Sequence, residues 1–141
     1  MAPPSCIFCD ISSGKVPQTK LEVETDEYVI FKDIKPASTY HYLAVPKQHY
    51  ESLEVLNKSH DGLITRMEDG LKKFLVSKNI NTSDALFGFH LPPFITVKHL
   101  HMHAIAPRSE IGIIYRMVFR PSTPWFKTVS ESRDYLKRNE L

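Results

Sequence analysis

The chain has 141 residues, of which 42% are apolar and 24% charged, with a formal charge of +2. That length suits one ordinary domain with a real core, and so small a charge argues for neither nucleic acid nor a membrane as partner. No run approaches the roughly 20 apolar residues of a bilayer span, the N-terminus lacks the pattern of a secretory signal, and Cys6 and Cys9 alone do not make a disulfide framework, so a reducing cytoplasmic setting, with the nucleus as a second compartment, is expected.

In chain order, Cys6-Ile7-Phe8-Cys9-Asp10-Ile11 closes in Ser12-Ser13-Gly14, a turn signal, and is expected to form a short N-terminal helix. Leu21 to Thr25 and Tyr28 to Lys32 are β-rich and separated by Asp26-Glu27, which predicts a hairpin. A loop over 35–39 leads to a third strand, His41 to Pro46, closed by its proline. Leu63, Met67, Leu71, Phe74 and Leu75 recur at spacings of three and four, the pattern of the one main helix. Ser59 or Asp61 can cap its start, and Asn79 and Asn81 suit its end. Ala85 to Phe89 reads as a fourth strand, Leu91-Pro92-Pro93 as a forced turn, and His99 to Ala106 as a fifth strand. Strands on both sides of one helix predict an α+β fold with a five-stranded antiparallel sheet.

After Pro107, Ile111, Ile113, Ile114, Met117, Val118 and Phe119 can pack on the core or on a partner. Pro121 and Pro124 then break the chain, and Ser130 to Leu136 suits a last short helix. The expected organisation is a single domain over 1–141, with a core over 6–106 and a C-terminal extension over 107–141.

The informative segment is His99-Leu100-His101-Met102-His103-Ala104-Ile105. Alternation along a strand sets side chains two apart on one face, roughly 6.5–7 Å from each other. Three imidazoles then share a face, while Leu100, Met102 and Ala104 fill the other. A core has little use for three inward histidines, because each brings nitrogens that need partners. Two readings stay open on this strand alone: a metal site of the His-x-His type and a catalytic site. Cys6-x-x-Cys9 by itself is equally a redox pair, half a metal site, or two small core residues.

The histidine segment resembles the signature of the histidine triad superfamily, in which three histidines alternate with apolar residues. Phe31-Lys32-Asp33-Ile34-Lys35-Pro36, followed by His41-Tyr42-Leu43-Ala44-Val45-Pro46-Lys47-Gln48-His49, is similar to that family's nucleoside-binding hairpin. Gly88-Phe89-His90-Leu91-Pro92-Pro93-Phe94 and Trp125-Phe126 narrow the likeness to the aprataxin-related Hint branch.

The resemblance implies hydrolysis of nucleoside monophosphate phosphoramidates and acyl adenylates by double displacement, with His101 as nucleophile. It implies that His103 donates to a phosphate oxygen, that Thr96 stands where the family has a serine with a similar role, and that His41 tunes the triad. For the nucleoside, Asp33 would accept from the ribose hydroxyls. Phe31 and Ile34 would sandwich the base, with Phe8 and Ile11 beside them, although the residues alone favour plain core for Phe31 and Ile34.

Relatives with the N-terminal cysteine pair hold structural zinc, which here would take Cys6, Cys9, His49 and His99. No organic cofactor is implied. The implied partners are a purine nucleotide substrate and a second copy of the chain, with the sheet continued across a homodimer; neither a membrane nor nucleic acid is expected. One departure stands out: Phe94-Ile95 replaces the family's glycine-glutamine pair before Thr96, which changes the phosphate loop. A non-catalytic nucleotide-binding protein, a zinc module, and an enzyme that removes 5′-adenylate like aprataxin are the rival readings. The basic residues of the extension, such as Arg116 and Arg133, read as a solvated face.

Overall fold

The computed structural model describes residues 6–138. Six antiparallel strands form one sheet in the order β1-β2-β3-β5-β4-β6: β1 Val23–Glu24, β2 Tyr28–Lys32, β3 Tyr40–Pro46, β4 Leu86–His90, β5 Met102–Ala106 and β6 Phe126–Thr128. The helices are α1 Ile7–Ser12, α2 Asp61–Ser77, α3 Ile113–Val118 and α4 Val129–Arg138. The α+β architecture is therefore the expected one, with a sixth strand that the sequence reading did not include.

Three boundaries differ for identifiable reasons. The first strand is two residues long because the Thr25 hydroxyl accepts from the Glu27 and Tyr28 N–H groups and turns the chain. The fifth strand starts at Met102, the first residue of β5 in register with β3, opposite Ala44. His99, Leu100 and His101 precede it, and the Leu100 N–H donates to the Tyr50 carbonyl of a loop at 2.6 Å. Neither Ser59 nor Asp61 caps α2. Asn57 caps the preceding single turn, Lys58–His60, while Asp61 holds Arg133 of α4 with two bonds of 2.8 and 2.9 Å. Asn79 does end the main helix, with φ of 61°, the left-handed conformation asparagine tolerates.

Alternation along β3 divides the core. Tyr42 and Ala44 face α2 and join Ile30, Met102 and Ala104 beneath its buried stripe of Leu63, Ile64, Met67, Leu71, Phe74 and Leu75. Leu43 and Val45 face the other way, where Val29 and Phe31 meet Phe8 and Ile11 of α1. His41 and His103 lie on that second side. His103 stands mid-sheet, opposite Leu43 on β3 and Gly88 on β4.

The tail adds its own layer to this side. Ile111, Phe119 and Phe126 are buried with Leu86 and Ile105. Gly88 makes this possible, because a Cβ there would lie 2.5 Å from the Phe126 ring. Between Ile111 and Phe119, α3 buries none of its residues, and Ile113 and Ile114 are exposed.

Candidate active site and metal centre

Four of the chain's seven histidines converge where β3, β4 and β5 meet the tail. The His103 ring lies 5.0 Å from His101 and 5.1 Å from both His41 and His90, measured between centroids. Phe119 packs edge-on against His41 and His103, and Phe8 packs edge-on against His101 at 5.0 Å. His41 and His103 are buried, whereas His101 is half-buried and reachable from solvent.

Hydrogen bonds to backbone groups fix the protons. The Ala37 N–H can only donate, so His41 accepts at Nδ1 (3.0 Å) and, as a neutral ring, carries its proton on Nε2. That N–H donates to His103 Nδ1 at 2.8 Å, with Asp33 Oδ2 also nearby at 3.3 Å. His103 must then hold its proton on Nε2, a buried atom with no hydrogen-bond partner among the described residues. His101 is arranged the opposite way. Its Nδ1–H donates to the His99 carbonyl at 2.7 Å, which leaves the lone pair on Nε2. One ring thus presents a lone pair while its neighbour presents an unused N–H.

Burial keeps these rings neutral. It depresses His41 to about 4 against the attraction of Asp33, and it lowers His90 against its bond to the Val118 carbonyl. His101 is lowered by burial despite the His99 carbonyl. His103 is held well below the ordinary value by burial and then by the facing His101, His41 and His90. A neutral imidazole is a nucleophile near neutral pH, which a protonated one is not.

The second cluster gathers Cys6, Cys9, His49 and His99, whose ligand atoms all lie within 4.8 Å of one another. His99 Nδ1 is 3.3 Å from Cys6 Sγ, 3.4 Å from Cys9 Sγ and 3.0 Å from His49 Nδ1; Cys9 Sγ is 3.3 Å from His49 Nδ1. Thiolate and imidazole bonds of roughly 2.0–2.3 Å around a tetrahedral ion give edges of roughly 3.3–3.8 Å, so the donors stand close to the required spacing. His99 Nε2–H donates to the Pro46 carbonyl at 2.8 Å, turning the Nδ1 lone pair toward the sulfurs, as a metal-ligating histidine requires. Burial, followed by the bond to Cys6, pushes the Cys9 thiol up to about 11. A bound cation would counter that shift. The donor set fits a metal ion.

Asp33, His41 and His103 form another close set with suitable atoms. The Ala37 N–H excludes it as a metal site, because His41 has no free lone pair left on Nε2.

The family model described as "Scavenger mRNA decapping enzyme C-term binding" matches residues 5–117. An adenosine 5′-monophosphoramidase HINT3 of Mus musculus is 43% identical over 134 residues, which is 94% of this chain and 79% of that protein. The chain belongs to the histidine triad family. A histidine triad protein from Clostridium difficile superposes on it with a TM-score of 0.69 at 29% identity, over 74% of this chain and 92% of that one. An aprataxin orthologue in complex with DNA matches with a TM-score of 0.67 over 91% of this chain and 73% of that chain; at 16% identity the likeness is one of fold.

Within this histidine triad site, the residues singled out from the sequence are distributed unevenly. His41, His101 and His103 come together, while His99 departs to the cysteines. Phe8, Phe31 and Ile11 share one apolar cluster, with Phe31 only 3% exposed, so its reading as plain core fits the structure. Ile34 is 91% exposed and is not part of that cluster. Asp33 is turned inward, with Oδ2 3.3 Å from His41 and 3.9 Å from His103, so a carboxylate does stand beside the triad. Thr96 lies in an exposed loop and makes no hydrogen bond to the histidines among the described residues.

His90, Phe119 and Phe126 were not expected in the site. For His90 a signal existed: Leu86, Gly88 and His90 alternate onto the face that carries His103. For the phenylalanines there was none, since their position depends on the tail folding back onto β4.

Proposed function

We propose that this chain hydrolyses purine nucleoside monophosphate conjugates, phosphoramidates and acyl adenylates among them, through a nucleotidyl intermediate on His101 Nε2. One observation carries the reading: the lone pair of a half-buried His101, fixed by the His99 carbonyl, beside a buried N–H of His103 that has no partner among the described residues. Nε2 attacks phosphorus as the bond to the leaving group breaks; an amine departs with a proton from solvent and an acid departs as its carboxylate. Water then attacks the same phosphorus and gives up a proton to solvent, the phosphorus–nitrogen bond breaks, and the nucleoside monophosphate leaves a neutral imidazole. The His103 N–H donates to a non-bridging oxygen as charge gathers there, an interaction of a kind that supplies about 3 kcal/mol. The relative named as an adenosine 5′-monophosphoramidase supports the substrate class.

For the nucleoside, Phe8, Ile11 and Phe31 would form the inner wall and Ile34 would close over the base from outside. Asp33 would turn from His41 toward the ribose hydroxyls. Thr96 would act on the phosphate after the loop carrying Phe94 and Ile95 closes. Cys6, Cys9, His49 and His99 would hold zinc, which supplies structural closure and leaves the chemistry to His101 and His103.

A homodimer belongs to the same reading. The exposed Ile113, Ile114 and Met117 of α3 favour a contact there, since the sheet's outer strands are two and three residues long. No helix is long and apolar enough to cross a membrane among the described residues, and a reducing compartment such as the cytoplasm or nucleus suits the free thiols.

Incubation with an adenosine phosphoramidate should release AMP, and mass spectrometry of the quenched reaction should find adenylate on His101. AMP binding without turnover across a broad panel of leaving groups would replace this reading with a nucleotide-binding protein.

A further inference from the structure

The nucleophile is not held by the sheet. β5 is in register with β3 only from Met102 onward, so His101 lies one residue outside the strand that presents His103. Three hydrogen bonds fix the segment that carries it: His99 Nε2–H to the Pro46 carbonyl at 2.8 Å, the Leu100 N–H to the Tyr50 carbonyl at 2.6 Å, and His101 Nδ1–H to the His99 carbonyl at 2.7 Å. Tyr50 directly follows His49, and the carbonyl that sets the His101 tautomer belongs to His99. Each anchor therefore runs into the second cluster or lies next to it. A separate link runs through α1: Phe8 sits between Cys6 and Cys9 in sequence, and its ring meets His101 at 5.0 Å and His99 at 6.2 Å.

We propose that Cys6, Cys9, His49 and His99, closed around zinc, position the nucleophile, with His99 as the positioning residue and its carbonyl setting the His101 tautomer. The inference rests on the zinc and hydrolase readings above and adds a functional role to what would otherwise be a staple. If the four ligands separate, the 99–101 segment loses the side chain that holds its carbonyl in place, and α1 loses both anchors of the wall that Phe8 builds. His101 would then sample both tautomers, and the Nε2–H form offers phosphorus no lone pair. Second-sphere carbonyl and carboxylate partners of this kind are worth roughly ten- to hundredfold in activity.

The test uses the full chain as purified, uniformly labelled with nitrogen-15. Metal content, the nitrogen spectrum of His101, AMP affinity and turnover are measured before and after treatment with dipicolinate, and again after zinc is returned. Stripping should convert a single Nδ1–H tautomer into an exchanging pair, lower kcat roughly ten- to hundredfold and weaken AMP binding, and returned zinc should reverse all three. Cys9→Ala should lose the metal, the single tautomer and the same share of kcat together.

A stripped chain that stays folded with an unchanged tautomer and kcat overturns the proposal. If stripping unfolds the chain, exchange of cadmium for zinc gives the answer. The larger ion should shift the His101 nitrogen signals and change kcat severalfold at an unaltered fold; no change in either defeats the proposal. Protein that carries no metal as purified sinks the zinc reading and this inference with it. A metal-dependent tautomer in a chain that turns over no phosphoramidate sinks the hydrolase reading alone.

Discussion

The two histidine clusters share a residue type and one side of the sheet, yet they are wired in opposite senses. His99 gives its Nε2–H to the Pro46 carbonyl and points Nδ1 at two sulfurs, while His101 gives its Nδ1–H to the His99 carbonyl and keeps Nε2 free. The same side chain turns its lone pair to two sulfurs or keeps it on the outer nitrogen according to which nitrogen a backbone carbonyl claims. Around His101 and His103 the surroundings are mostly aromatic: Phe8, Phe119 and Phe126 pack against the rings, and Asp33 is the one carboxylate beside them among the described residues. In the other cluster the surroundings are the donors themselves. The remaining histidine, His60, does neither, because its Nδ1 accepts from the Asn57 N–H in a capping box.

If the division of labour is real, one substitution on each side should separate the two functions. His101→Ala is expected to cut kcat by roughly 10³-fold or more while leaving bound metal untouched, read by turnover and elemental analysis of one preparation. His99→Ala is expected to lose the metal and to reduce kcat less, by roughly ten- to hundredfold. A His99 variant as inactive as the His101 variant but still loaded with metal would erase the distinction. The expectation that kcat falls further for His101 follows from its role: it forms the bond, whereas His99 acts through it.

Much of the first cluster was legible in the sequence, because period-two alternation alone puts histidines 101 and 103 together. The parting of His99 was legible only through the family resemblance, which put it with the cysteines; alternation alone carried the strand back to 99, and the structure ends it at Met102. What ends it is a loop pairing, Leu100 to Tyr50, between segments far apart in the chain, and no local pattern encodes that. The fold was legible for a related reason. β2, β3, α2 and β4 carry strong periodicity, while β6 is three residues between a proline-broken turn and α4 and exists because Gly88 leaves room for Phe126. Asp33 shows the limit of reading one strand at a time. The acid was visible, but its place beside His41 and His103 depends on the register of β2 with β3 and of β3 with β5.

The tail should matter to one cluster only. Gly88→Ala forces a methyl group against the Lys127 carbonyl and into the Phe126 ring, and overpacking of this sort costs about 1–3 kcal/mol. The chemical denaturation midpoint should fall accordingly. Turnover of the folded fraction should drop as well, because Phe126 backs His90 and His103, with metal content unchanged. Loss of metal in this variant would show that the clusters are mechanically one, and stability equal to the parent would show that β6 does not hold the edge of β4.

The smallest expected effect is on stability against pH, and it too separates the clusters. His41 has an ordinary value of 6.5 but is held at about 4 in the fold, with burial as the cause; His103 and His90 are shifted the same way. Between those limits the unfolded chain binds protons that the folded chain refuses, so stability rises with pH there. The contribution is fully present above pH 6.5 and is lost as pH falls toward 4. Melting temperature should therefore be level from pH 8 to 7 and decline by several degrees on the way to pH 5. Metal content followed in the same samples separates this from proton competition at the cysteines. Replacing His41 with glutamine, which cannot take up the proton, should make the decline shallower while the metal stays bound. If that variant declines as steeply as the parent, His41 carries none of the acid sensitivity, and loss or retention of metal in the same samples assigns it to the metal centre or to the other buried histidines.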